Sequence, residues 1–265
     1  MYKKIDMHVH VDDCRFPKSW KNPYDFDHAM KGNPKRVILS AAKKVDGIVI
    51  AQQNNLQSSQ EAVEICKQLK KQHKIPETFL AYAAEEIATR RGEFIGVGHQ
   101  EGVGPYDDLQ EAMDRVIEQG GVVIADHPLT DMKATEDLVP LGLGKSVLEN
   151  PEIRKRLSGI EVLNYSAYAA AMLSKKYRMQ LEETFKLQKY LGINPIGGTD
   201  NHFSIAGLAY TLFESDDIIH ELRKGKTRVG LTNRGWPNPL FYLKFVTFYL
   251  TDSSSMRHTF KSFSI

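Results

Sequence analysis

Apolar and polar residues alternate at the start of the chain: Ile5, Met7 and Val9 fall between Asp6, His8 and His10. A period of two predicts a β-strand whose successive side chains point to opposite faces. Asp6, His8 and His10 then share one face, and the three apolar residues share the other. Two imidazoles spaced this way can reach one metal ion, and Asp6 is placed to fix the tautomer of a ligand histidine. Further apolar runs predict strands at Gly47–Ala51, Thr78–Ile87, Glu93–Val97, Val122–Ala125, Gly159–Leu163, Ile193–Ile196, Ala209–Glu214 and Thr227–Leu231. Helical spacing covers Lys35–Lys44, a segment from a Ser58 or Ser59 cap to His73, Asp107–Gln119, Ser146–Leu157, Ala167–Leu191 and Asp217–Lys224. Residues Val11–Pro34 show no sustained periodicity and read as a long loop, a length at which functional lids are common.

Short apolar strands alternating with helices predict repeated βα units around a mainly parallel sheet. Six or seven such units in about 230 of the 265 residues suit one barrel better than an open sheet. In such barrels the reactive groups gather at the carboxyl ends of the strands. Those ends carry His8 and His10, Glu86, His127, and Asp200 with His202. All are nitrogen or oxygen donors, a mixture that suits Zn, Mn or Fe rather than a thiolate site. Each has an ordinary alternative: Glu86 pairing with Arg90 or Arg91, His127 in a turn before Pro128, Asp200 as a cap after Gly198. A shared metal centre explains all of them with one cause.

Composition narrows the setting. A net charge of +2 makes no global case for nucleic acid or an anionic membrane. Cys14 and Cys66 follow no metal or redox spacing and point to a reducing compartment. The chain enters a strand at once with no apolar signal core. The apolar stretch Pro239–Leu250 is short for a bilayer and is broken by Lys244. A cytoplasmic protein is expected, with no stable nucleic-acid partner and no membrane association.

The segments DMHVH at 6–10, Glu86-Ile87 after a strand, DHP at 126–128, IEVLN at 160–164 and GTDNH at 198–202 stand in a telling order. In order and spacing they resemble the polymerase and histidinol phosphatase (PHP) domain family, and HELRKGKTRVG at 220–230 resembles that domain's closing unit. The resemblance implies an α/β fold, a distorted seven-stranded (β/α) TIM-like barrel over residues 1–234, with a cluster of two or three metal ions that hydrolyses phosphoesters. Residue by residue, it implies that His8, His10, Glu86 and Asp200 hold a first metal, with Glu86 as the bridge. His127 matches a ligand of the second metal and His202 a ligand of the third.

Three departures bear on the ion count. The family commonly ends its second strand in Thr-Asp-His, where this chain reads Ala51-Gln52-Gln53, and neutral amides are poor ligands for a dication. The family's acidic signature after the first strand is absent, leaving Asp12 and Asp13 nearby. Two divalent ions (Zn, Mn or Fe) are therefore expected rather than three. Glu93 stands where the family often has a histidine. His99 lies six residues further on, about 20 Å along an extended strand, so Glu93 is the expected ligand.

The expected reaction is attack of metal-activated water on a small phosphomonoester or phosphodiester, nucleotide-like or sugar-phosphate-like. Asp200 or His202 would move the proton, and Arg90 and Arg91 would hold the phosphate of a small phosphorylated substrate. Two other classes stay open. A metal-dependent amidohydrolase would usually want a further strand-end histidine or a bridging lysine. A non-catalytic PHP-like domain with a decayed metal site, acting as a binding or regulatory module, draws its support from Gln52-Gln53. Residues 235–265 fall outside the resemblance and are rich in aromatics, among them Trp236, Phe241, Tyr242, Phe245, Phe248 and Tyr249. This extension is expected to pack on the barrel or on a partner subunit of a homo-oligomer.

Overall fold

The computed structural model describes residues 2–11, 14–19, 22–29, 33–130, 141–173, 175–200, 205–225 and 227–232. In chain order its elements are β1 (Lys3–Val9), β2 (Cys14–Ser19), β3 (Asn22–Ala29), α1 (Pro34–Ala41), β4 (Gly47–Gln53) and α2 (Leu56–Lys71). There follow β5 (Leu80–Thr89), β6 (Gly92–Val97), α3 (Leu109–Glu118), β7 (Val122–Ala125), α4 (Lys145–Leu148), α5 (Pro151–Arg154) and β8 (Leu157–Asn164). The last are α6 (Tyr165–Leu173), α7 (Lys175–Leu191), β9 (Pro195–Gly198), β10 (Ala209–Phe213), α8 (Ile218–Lys224) and β11 (Arg228–Leu231). The aromatic extension 235–265 lies outside the described residues, as does His202. Among the described residues no helix is long and apolar enough to cross a membrane.

Local chemistry sets the helix ends. Asn33 caps α1, with Pro34 in the first turn where a missing N–H costs nothing. Asn55 caps α2, accepting from Ser58 N at 3.2 Å. The expected serine cap is thus displaced, and Ser59 instead accepts from Gln52 N. Asp108 caps α3 by accepting from the backbone of Gln110 and Glu111. Two of the helical expectations divide: residues 146–157 hold the short α4 and α5, and residues 167–191 belong to α6 and α7.

Among the described residues nine strands form one sheet in the order β11-β10-β1-β4-β5-β6-β7-β8-β9, and β2 and β3 form a separate antiparallel hairpin. The expected seven-stranded, mainly parallel sheet is therefore corrected on both counts. The turn from β5 to β6 is Arg90-Arg91, too short for a crossover helix, and Gly92 at φ 125° completes it. Such a connection can only return antiparallel. At the other end β10 pairs antiparallel with β1, and β11 with β10. The loop expected at 11–34 contains the β2–β3 hairpin, which Asn54 tethers to the end of β4 by donating to Arg15 O at 2.7 Å.

The sheet curls until β9 meets β1 and β10, and side chains stitch the seam. Asp200 N donates to His8 O at 2.8 Å, and Gly197 N donates to the Thr211 hydroxyl at 2.8 Å. Asp6 accepts from Thr199 N, from the Thr199 hydroxyl and from Gly207 N at 2.5–2.8 Å. Inside the curl, Ile5, Met7, Val49, Ala51, Ala84, Ile95, Ile124 and Ile196 form an apolar plug, closed below by Ile218 and Leu222 of α8. Two further cores lie between the sheet and its outer helices.

Gly198 marks the tightest point of the seam. A Cβ there would stand 2.4 Å from His8 Cβ and 2.9 Å from Glu161 Oε1. Gly198→Ala is expected to cost about 1–3 kcal/mol, the range for overpacking a closed interior. Urea denaturation checks this, and wild-type stability in the variant would contradict the tight seam.

Candidate metal centre

A β-bulge aims the first two imidazoles. Along the β1–β4 pair, Ile5 and Asp6 oppose Gly47 and Ile48, but Val9 opposes Ile50, so β1 carries one extra residue. Bulges re-aim side chains in this way. Ile5 and Met7 point into the barrel, whereas Val9 and Val11 pack outside with Ile48 and Ile50. His8 and His10 thereby turn inward. Strict alternation, which put Asp6 on their face, is overturned by that extra residue. Asp6 does not touch an imidazole nitrogen but bonds Thr199 and Gly207 at the seam, and burial raises its pKa to about 6 against those hydrogen bonds.

Four side chains converge just above the apolar plug. His8 Nε2 and His10 Nε2 are 3.1 Å apart. Glu86 Oε1 lies 3.4 Å from His8 Nε2, and Glu86 Oε2 lies 3.6 Å from His10 Nε2. Asp200 Oδ1 is 3.8 Å and 3.5 Å from the same two nitrogens. Ligands bound at about 2.0–2.1 Å to one tetrahedral ion stand about 3.3 Å from one another, so these separations suit a shared ion. Asp200 has φ +50°, a strained value for a residue with a side chain. Asn164 holds it by donating to Oδ2 at 2.9 Å, and Ser166 by donating to its backbone carbonyl at 2.8 Å.

A second cluster shares Glu86 with the first. His127 Nε2 lies 3.1 Å from Glu86 Oε1, 3.3 Å from Asp126 Oδ2 and 3.9 Å from Glu93 Oε2. Ligand atoms of Glu86, Glu93, Asp126 and His127 all fall within 4.8 Å of one another, as do those of His8, His10 and Glu86. Both oxygens of Asp126 are buried without a hydrogen-bond partner. The His127 imidazole, 3.3 Å from Oδ2, is the charge partner it has; burying a carboxylate is costly, and a cation would offset that cost further. Four carboxylates face the centre, and two dications would balance their charge.

The protonation pattern has the same cause. Burial opposes charge on His8, but the Glu161, Asp200 and Glu86 carboxylates outweigh it and hold its pKa well above the usual imidazole value. Burial also opposes charge on His127, and Asp126 and Glu86 reverse it. Burial would raise Glu86, yet His8, His127 and His10 hold it well below the carboxylate range. Burial, then the Glu86 charge, push Glu93 up to about 8. Without cations the cluster is stabilised by protons, so metal uptake would release them.

Glu161, absent from the expected set, organises both clusters. Its Oε1 takes His8 Nδ1 at 3.2 Å, which leaves the Nε2 lone pair of a neutral His8 facing the centre. Its Oε2 accepts from His127 N and from Asn164 Nδ2, each at 2.9 Å. A lone glutamate in the apolar run Ile160-Glu-Val-Leu163 was the available signal. Asp126 also escaped notice, because in a regular strand it would point away from His127. The strand ends at Ala125 and His127 takes φ +22°, which brings both to one side.

The remaining candidates divide. Glu93 is in the second cluster, whereas His99 is paired with Glu85 at 3.2 Å on the outer face of β5. Gln53 Nε2 donates to Glu93 Oε1 at 2.8 Å, and Gln52 Oε1 accepts from Val11 N at 2.7 Å. Both amides therefore serve as hydrogen-bonding supports. Arg90 and Arg91 sit exposed at the β5–β6 turn, where Arg90 pairs with Asp107, so neither is brought into the cluster.

No family model matches the chain. Two curated relatives are uncharacterised proteins of Methanocaldococcus jannaschii. One is 38% identical over 92 residues, 35% of this chain and 37% of that protein. The other is 28% identical over 138 residues, 51% of this chain and 74% of that protein. The chain thus spans little more than a third of the first relative. Among solved structures, PsfC from Pseudomonas syringae PB-5123 is 14% identical, with 93% of this chain and 97% of that chain covered and a TM-score of 0.53. That likeness shows a shared fold.

Two outcomes follow from this geometry. Glu93 keeps its proton to about 8 when folded but only to 4.5 in a model peptide. More protons are then bound in the folded state, so its contribution is full below 4.5 and is lost as pH rises through about 8. Chelated protein should therefore unfold more readily at pH 9 than at pH 5, and Glu93→Gln should flatten that slope in denaturation curves. Glu161→Gln should weaken metal affinity about 10–100-fold, as loss of a carboxylate behind a ligand histidine does. Calorimetric titration with Zn²⁺ checks this.

Proposed function

We propose that the protein is a metal-dependent phosphoesterase acting on a small phosphomonoester or phosphodiester with two divalent ions. The observation that carries the reading is the position of Glu86, which belongs to both ligand clusters at once. A carboxylate shared in this way holds two ions close together, the arrangement used for in-line displacement at phosphorus. The ions would supply charge to polarise the phosphoryl oxygens and acidify water. The motif resemblance supports phosphorus rather than carbon as the centre attacked.

The chain's own residues have separable tasks. His8, His10 and Asp200 would hold one ion, His127 and Glu93 the other, and Glu86 both. Glu161 keeps His8 in the tautomer that presents Nε2 inward. Asp200 is the carboxylate nearest the mouth, with its side chain 14% exposed against 3% for Glu86. It is oriented through Asn164, and in this reading takes the proton from the attacking water and passes it towards the leaving oxygen. The buried Glu86 cannot exchange a proton with solvent as readily. Apolar residues below exclude bulk water, which strengthens every charge interaction in the site.

The decisive experiment is metal content together with turnover. Protein reconstituted with Mn²⁺ or Zn²⁺ should retain two equivalents and hydrolyse p-nitrophenyl phosphate or its diester. His10→Ala should lose metal, and Glu86→Gln should lower kcat by at least about 10²-fold, the scale of removing one electrostatic stabiliser. Cleavage of amide substrates with none of phosphoesters, or two bound ions with no turnover of either, would sink this function.

A further inference from the structure

The two ligand clusters differ in kind. At the first, two imidazoles meet Asp200 and the shared Glu86. At the second, a single imidazole meets Glu93, Asp126 and Glu86. Imidazole nitrogen suits zinc and iron, whereas carboxylate oxygen suits manganese and magnesium, with more ligands and octahedral geometry. Carboxylates can also bind through one or both oxygens, so three of them can fill more positions than their number.

We propose that this centre is built for two unlike ions, a borderline cation such as Zn²⁺ between His8 and His10 and a hard cation such as Mn²⁺ at the second position, with Asp126 the ligand that sets the difference. The inference rests on the two-ion reading of the cluster. Its independent support is the state of Asp126 itself. The residue is wholly buried, its Oδ2 is 3.3 Å from His127 Nε2, and neither oxygen has a hydrogen-bond partner. Asp126 follows the inward-facing Ile124 by two residues, so strand parity aims it into the barrel. Asp6, a carboxylate that stabilises the fold, takes three hydrogen bonds from the seam, whereas Asp126 takes none and meets the His127 imidazole.

Gln53 adds to the asymmetry. Its amide takes one oxygen of Glu93 at 2.8 Å, and the other oxygen is turned towards His127. The bond fixes Glu93 without cancelling its charge, which a lysine or arginine there would do. Once a bound cation has displaced the proton of Glu93, the second position presents three carboxylates around one site, a donor set that rewards charge density over softness.

A competition experiment tests this without reference to turnover. Metal-stripped protein is dialysed against two equivalents of Zn²⁺ and about a hundredfold excess of Mn²⁺, then freed of unbound ions. Two sites of the same kind would both select zinc, which binds a given nitrogen or oxygen site more tightly than manganese. The expected result is one Zn and one Mn per chain by mass spectrometry, with the electron paramagnetic resonance signal of bound Mn²⁺. Asp126→Asn, close in size, should retain the Zn and lose at least nine-tenths of the Mn. If that variant fails to fold, Glu93→Gln should show the same selective loss.

Two Zn per chain, two Mn per chain, or undiminished Mn in Asp126→Asn would each overturn the proposal. The phosphoesterase reading fails separately. A protein holding one Zn and one Mn that hydrolyses no phosphoester refutes that function and leaves the unlike-ion centre standing. Two Zn with brisk turnover does the reverse.

Discussion

Negative charge is hard to bury, and this molecule buries four carboxylates facing one another at the top of its barrel. Glu86, Glu93 and Asp126 have almost no contact with solvent, and Asp200 has little. Their repulsion has to be met by protons, on the neighbouring imidazoles and on Glu93 itself, or by cations. Either partner stabilises the fold, and Asp126 meets the first kind in the His127 imidazole, 3.3 Å away. The structure below and behind the cluster is arranged to hold these groups at that distance. The apolar plug supports them from beneath, and the Glu161–Asn164 pair ties the two halves together.

The seam between β9 and β1 shows how folding and site formation are linked. No continuous ladder closes the barrel there. Asp6 instead receives three donors from the segment after β9, and the backbone of Asp200 bonds directly to that of His8. Closing the barrel and placing two of the candidate ligand residues are thus one event. Gly198 is required at this point because any side chain would strike His8. Asp6 contributes by bringing the strand that carries Asp200 alongside the strand that carries the histidines.

Two forms of local strain serve the same end. His127 and Asp200 both adopt positive φ without being glycine, which costs of order 1–3 kcal/mol each. Both stand at the ends of strands and both turn a polar side chain towards the centre. Hydrogen bonds at each point hold the conformation: Glu161 accepts from His127 N, and Ser166 donates to the Asp200 carbonyl. The extra residue in β1 acts similarly, because it changes which side chains face inward while the strand remains paired on both sides.

Much of this was legible in the sequence. Apolar runs located most strands of the main sheet, because strands such as β4, β6 and β7 are buried along their whole length. Glu93 could be preferred to His99 from distance along a strand alone. Strand-end position marked His8, His10, Glu86, His127 and Asp200, since strand ends are where a barrel offers its backbone to a site. What the sequence could not state was orientation. Whether Asp6 or Val9 shared a face with the histidines depended on one extra residue in β1, which is visible only against the register of β4. The role of Glu161 depended on the seam, which brings β8 within reach of β1 across β9, and that of Asp126 on the turn taken at His127. The β5–β6 turn left no room for a crossover, and so β6 returned antiparallel and a mixed sheet replaced the simpler barrel. Sequence determined which groups were available and how far apart they lay along the chain. Tertiary structure decided which of them meet, because register, bulges and seam contacts are set between strands far apart in the chain.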